Sequence, residues 1–149
     1  MQFKTEAALI EFVLNAEERA SNLYRDAVKF APDRKSREFL EEMAMEELDH
    51  RDFFAGLDLK NDALIFSESH QDYNFSESFE AMPYYDGISY VELLIYAIKQ
   101  EESFSRFYQK LAEQAQGDMA VILSNLAETE RQHKIRLEEL FRLKVDSDL

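Results

Sequence analysis

Glu47-Leu48-Asp49-His50 and Glu130-Arg131-Gln132-His133 decide how this chain reads. The same Glu-x-x-His spacing occurs twice, 83 residues apart, each time inside a long stretch without Gly or Pro. Residues three apart are neighbours on one helix face, so each motif sets a carboxylate beside an imidazole. Steps of three and four outward from each glutamate trace a core-facing stripe: Leu40, Met43, Glu47, His50, Phe54, Leu57 in one case, and Leu123, Leu126, Glu130, His133, Leu137, Leu140 in the other. Two further stripes have the same register. They are Ile10, Val13, Glu17, Ala20, Tyr24, Ala27 and Leu94, Ala97, Glu101, Phe104, Tyr108, Leu111. A glutamate is third in all four.

The stripes lie on four expected helices, about 5–30, 33–57, 89–116 and 118–145, within a single domain spanning 1–149. Thr5 and Asp33 are candidate N-caps, Ser89-Tyr90-Val91-Glu92 reads as a capping box, and Gly117-Asp118 as a C-cap glycine followed by an N-cap. Short breaks at Ala31-Pro32 and Gly117-Asp118 make two antiparallel hairpins, and residues 58–88 are long enough to cross a bundle. The fold class is therefore all-α: a four-helix bundle of two hairpins joined by a crossover between helices two and three. The crossover holds Ile65, Phe66, Tyr73, Phe75, Phe79, Tyr84 and Tyr85, too aromatic for a free linker, and is expected to lie on the helices. His70 within it reads as a surface residue, and Asn74-Phe75-Ser76 as a chance match to a glycosylation acceptor.

Composition narrows the chemistry. The 149 residues suit one domain, and 46% apolar content excludes disorder. A net charge of −14 argues against nucleic acid or an anionic membrane surface as a partner. The longest apolar run, Leu93 to Ile98, is far too short to span a bilayer, and a cytoplasmic location is expected. With no Cys, disulfides, thiolate metal sites and thiol catalysis are excluded, which leaves Asp, Glu and three His as ligands.

An ionised glutamate within an apolar stripe costs several kcal/mol unless it is neutralised or bound to metal. Four converging at one level call for cations. Two divalent ions balance Glu17, Glu47, Glu101 and Glu130, and His50 and His133 add neutral ligands. The chain is also an internal repeat: Glu17 and Glu101, like Tyr24 and Tyr108, are 84 apart, whereas Glu47 and Glu130, like His50 and His133, are 83 apart. Two similar hairpins facing each other would set matched ligand sets around neighbouring ions. Tyr24 and Tyr108, seven residues beyond a seam glutamate, are placed to hydrogen-bond toward the ligands or simply to fill the core. Glu18, Glu41, Glu42, Glu102, Glu128, Glu138 and Glu139 lie off the seams as solvated charge.

One Glu from each of two helices and Glu-x-x-His from each of the other two resembles the ferritin-like di-iron carboxylate proteins. Within them the chain is similar to rubrerythrins, through Ala16-Glu17-Glu18-Arg19-Ala20-Ser21-Asn22-Leu23-Tyr24, Ala97-Ile98-Lys99-Gln100-Glu101, Phe107-Tyr108-Gln109-Lys110-Leu111-Ala112 and Leu126-Ala127-Glu128-Thr129-Glu130-Arg131-Gln132-His133. That resemblance implies a ferritin-like fold and two iron ions, with manganese or a mixed pair as alternatives. Glu47 and Glu130 would bridge the ions, Glu17 and Glu101 would be terminal ligands, and His50 and His133 would bind one ion each. It also implies that Glu46 accepts a hydrogen bond from His133 and that Thr129 is its counterpart for His50.

The implied activity is reduction of hydrogen peroxide, or activation of dioxygen. Rubrerythrins often carry a four-cysteine rubredoxin domain, which a cysteine-free sequence does not contain, so a separate donor such as a rubredoxin-like protein is expected to supply electrons. Phe104 stands where rubrerythrins have a further carboxylate. This leaves the symmetric ligand set of bacterioferritin-like centres and keeps ferroxidase-type iron oxidation as the alternative, although Asp146 to Leu149 are too few for the fifth helix of a ferritin shell. A non-enzymatic helical interaction module is a third reading. Val91 to Ile98 is apolar at every position except Glu92, a face too broad for one seam, and a homodimer partner or the crossover is expected to cover it.

Overall fold

The structure is a computed structural model and describes residues 2–58, 73–74 and 86–149. Most of the expected crossover, including His70, Phe66, Phe75, Phe79, Tyr84 and Tyr85, lies outside the described residues. The described residues form four helices, α1 (Glu6–Val28), α2 (Arg34–Ala55), α3 (Tyr90–Gln114) and α4 (Gly117–Ser147). A two-residue pairing accompanies them: β1 (Gln2–Phe3) runs antiparallel to β2 (Tyr73–Asn74), with Gln2 opposite Asn74 and Phe3 opposite Tyr73. The fold is an all-α ferritin-like four-helix bundle with this small appendage at one end. Among the described residues no helix is long and apolar enough to cross a membrane.

Side chains with local reach fix the helix starts. Thr5 Oγ1 accepts the Ala8 N–H at 3.0 Å, Asp33 Oδ1 accepts that of Ser36 at 2.7 Å, and Ser89 Oγ accepts that of Glu92 at 3.1 Å. Each satisfies one of the N–H groups that a helix start leaves orphaned. The fourth start differs from the sequence expectation. Gln116, not Asp118, holds the N-cap position and makes no side-chain cap, and the helix begins at Gly117 itself with φ of 60°. Only Ala115 and Gln116 separate α3 from α4. A reversal this tight needs the left-handed region, which costs an L-residue about 1–2 kcal/mol and glycine almost nothing.

Each helix buries the stripe that carries its glutamate. Leu9, Val13, Ala20 and Tyr24 of α1 meet Leu40, Met43 and Phe54 of α2 within one core, joined from the other hairpin by Leu94, Phe104, Tyr108, Leu123 and Leu137. Packing is heaviest within the hairpins, α1 on α2 and α3 on α4, and α1 also meets α3 as α2 meets α4. Two matched hydroxyls tie the hairpins internally: Ser21 Oγ donates to the Ala44 carbonyl at 2.9 Å, and Ser105 Oγ to the Ala127 carbonyl at 3.0 Å. Both acceptors lie one turn before a Glu-x-x-His glutamate. Phe3 packs with Phe12 and Phe107, ring centroids 5.2 and 6.4 Å away, and so seats the N-terminal strand on α1 and α3. Of the broad apolar face, Leu93, Leu94 and Ala97 are buried, and Val91, Ile95, Tyr96 and Ile98 are half-buried.

The two connecting glycines should respond oppositely to alanine. A Cβ at Gly117 would meet nothing within 4 Å, so Gly117→Ala isolates backbone strain and should lower stability by about 1 kcal/mol. Gly56, with φ of −85°, should accept alanine with no loss beyond a few tenths of a kcal/mol. Urea unfolding of the two variants checks this, and equal midpoints would contradict it.

Candidate metal centre

The four seam glutamates meet at mid-bundle. Glu17, Glu47, Glu101 and Glu130 are each 0% exposed, one from each helix, with His50 and His133 one turn beyond Glu47 and Glu130. Two overlapping groups of ligand atoms result, each with all its members within 4.8 Å of one another: Glu17, Glu47, His50 and Glu130, and then Glu47, Glu101, Glu130 and His133. Glu47 and Glu130 belong to both. His50 Nδ1 lies 3.3 Å from Glu130 and 3.5 Å from Glu47, and His133 Nδ1 lies 3.3 Å from Glu47 and 3.6 Å from Glu101.

Eight buried atoms in this cluster have no hydrogen-bond partner among the described residues: both oxygens of Glu47 and of Glu130, Oε2 of Glu17 and of Glu101, and Nδ1 of each histidine. Buried polar atoms are rarely orphaned, and eight orphans facing one another form a donor set of hard oxygens and imidazole nitrogens. That set fits two divalent cations, whose charge would balance the four carboxylates.

The other oxygens of Glu17 and Glu101 are tied outward as a matched pair. Tyr24 Oη donates to Glu101 Oε1, and Tyr108 Oη donates to Glu17 Oε1 at 2.5 Å. Each tyrosine serves the glutamate of the other hairpin, so the bonds join the halves at the level of the cluster. Burial, then the surrounding carboxylates, pushes both phenols well above their ordinary pKa, and they remain donors. Phe54 and Phe104 both stack on the Tyr108 ring, at centroid distances of 5.7 and 5.9 Å. Phe104 thus bears on the cluster through Tyr108, whose hydroxyl it helps to hold.

His133 Nε2–H donates to Glu46, a carboxylate half open to solvent, which leaves Nδ1 free to face the cluster. The hydrogen bond from His133 holds Glu46 below the usual carboxylate range. Thr129, the counterpart residue, is half-buried and makes no hydrogen bond to His50 among the described residues, so the structure does not bring that pair together. Off the seams, Glu18, Glu41, Glu42, Glu128, Glu138 and Glu139 are exposed, and Arg131 and Gln132 pull Glu128 down to about 2. Glu102 is half-buried and bound to Lys134 and Arg106.

Sequence reasoning had grouped the six ligand candidates and the two tyrosines but had not assigned which glutamate each tyrosine serves. The serine clamps were missed, although the repeat carried their signal: Ser21 and Ser105 are 84 apart, and Ala44 and Ala127 are 83 apart.

With that geometry in view, comparison with known proteins adds one finding. The rubrerythrin family model matches residues 92–148, which are α3 and α4 with Glu101, Glu130 and His133. This segment is similar to the rubrerythrin family. No curated protein and no solved structure gives a match. The rubrerythrin match covers one hairpin, and the four-helix packing with its symmetric cluster extends the ferritin-like assignment to the other.

Metal-free stability should depend on pH in a definite direction. Burial first, and then the neighbouring carboxylates, pushes Glu47 and Glu130 well above the ordinary value. Burial opposes charge on the two histidines, but the carboxylates around them prevail and raise both, Glu17 first for His50 and Glu101 first for His133. The folded chain therefore holds protons that the unfolded chain releases, the glutamate protons above about pH 4.3 and the histidine protons above about pH 6.5. Stability is lost as pH rises through this range. Glu46 and Glu102, held low by His133 and Lys134, act oppositely, but only as pH falls toward their own lowered values. Chelator-treated protein should melt at a higher temperature at pH 5.5 than at pH 8, and saturating divalent metal should reverse the trend because its ligands must be deprotonated. A metal-free melting point that falls on this acidification would contradict the cluster's electrostatics.

Proposed function

We propose that the cluster is a dinuclear iron centre and that the chain is an oxidoreductase reducing hydrogen peroxide, or activating dioxygen, with electrons from a separate donor protein. The observation that carries this reading is the sharing of Glu47 and Glu130 between two ligand groups, each completed by one further glutamate and one histidine. Glu47 and Glu130 would bridge two ions, Glu17 and Glu101 would be terminal ligands, and His50 and His133 would bind through Nδ1. Iron in such a site supplies reversible one-electron steps, two of which convert H2O2 with two protons to two water molecules.

The chain's residues supply the setting. Tyr24 and Tyr108 orient one oxygen of Glu101 and Glu17, so that the other points inward. Apolar side chains along the seams, Val13, Met43, Phe54, Ala97, Phe104, Leu123 and Leu137, exclude bulk water and fix the carboxylates. Electrons would come from a separate donor, such as a rubredoxin-like protein. A homodimer covering the half-buried Val91 to Ile98 face belongs to the same proposal.

A second reading, iron oxidation with iron as substrate, draws on Phe104. Its ring stacks on Tyr108 where rubrerythrins have another carboxylate, so the ligands remain the symmetric four Glu and two His. Loading the protein anaerobically with two Fe(II) per chain and mixing it with peroxide or dioxygen in stopped flow separates the two. Oxidation much faster with peroxide than with dioxygen is the expected result. Sustained oxidation of excess Fe(II) by dioxygen would transfer the assignment to iron handling. Glu47→Ala should abolish the two-iron reaction in either case, because it removes an oxygen donor from both positions.

A further inference from the structure

The two halves of the cluster are matched except at one point. Tyr24 on Glu101 mirrors Tyr108 on Glu17, and Glu47 and Glu130 lie in the middle of both groups. Behind the histidines the match fails. His133 gives its Nε2–H to the Glu46 carboxylate, whereas His50 Nε2 has no hydrogen bond among the described residues, and the counterpart position holds neutral Thr129.

A carboxylate on the far nitrogen of an imidazole fixes the ring and the tautomer and makes the facing nitrogen a stronger donor. Glu46 also adds a fifth negative charge on the His133 side alone. We propose that Glu46 makes the two ion positions unequal, so that the position formed with His133 and Glu101 fills before the one formed with His50 and Glu17. Glu46 is a positioning residue here, acting on the ion through His133. The inference rests on the dinuclear reading of the cluster and adds an order of filling to it.

Cobalt(II) titration of the full metal-free chain, followed by calorimetry and visible absorption, tests this without any turnover. The wild type is expected to take up two Co(II) in two resolved steps. His50→Ala should retain the tighter step and His133→Ala should lose it. Glu46→Ala should weaken the tighter step by about tenfold or more and leave the other unchanged, while Glu46→Gln, which keeps the shape without the charge, should fall between. Thr129→Glu should strengthen the weaker step, and Glu42→Ala, on the exposed face of α2, should change neither. Far-ultraviolet circular dichroism of each metal-free variant confirms that the helices are intact.

Two equal steps in the wild type, a tighter step that survives His133→Ala, or a Glu46→Ala titration matching that of Glu42→Ala would each overturn the proposal while leaving the dinuclear site in place. A wild type that binds no Co(II), or only one, would overturn the dinuclear reading itself.

Discussion

Four carboxylates buried at one level of an apolar core are the constraint on which the rest of this structure depends. Each of Glu17, Glu47, Glu101 and Glu130 is fully removed from water, and without compensation each would cost several kcal/mol as an ion. The fold meets that cost from several directions. Tyrosine hydroxyls take one oxygen of Glu17 and of Glu101, the histidines stand beside Glu47 and Glu130, and the remaining inward atoms converge as a donor set for cations. The clamps of Ser21 and Ser105 on backbone carbonyls hold the helix pairs together one turn from this level. Much of the bundle can be understood as a frame that holds these carboxylates together at one level, where divalent metal would neutralise them.

The fold was legible because helix periodicity and chain breaks agreed. Stripes at steps of three and four carried one glutamate each, Pro32 and Gly117 marked the reversals, and Thr5, Asp33 and Ser89 marked three helix starts by a mechanism that acts within a single turn. The start of α4 was misread because Asp118 has the composition of an N-cap, whereas the left-handed φ of Gly117 moves the helix start one residue earlier. Capping propensity is local, and the tight α3–α4 reversal overrode it.

The cluster was legible for the same reason as the fold. A carboxylate in an apolar stripe stands out in sequence, and four in one register identify a level in space. The unread part depends on how the hairpins face each other. Whether Tyr24 would reach Glu17 on its own helix or Glu101 on another depends on the rotation of α1 against α3, which no spacing within one helix encodes. The Phe54, Tyr108 and Phe104 stack has the same origin, since its rings come from α2 and α3. Thr129 shows the converse: its position matched an expected partner for His50, yet no bond forms, because register sets neighbourhood and not contact.

The central claim is that the six residues hold two metal ions with Glu47 and Glu130 in common. X-ray absorption at the iron edge, on protein loaded with two Fe(II) per chain under anaerobic conditions, tests it most directly. The account predicts a shell of oxygen and nitrogen only, together with iron–iron scattering at a separation of about 3.5–4 Å. Iron that shows no second iron in that range, at full loading, would contradict it.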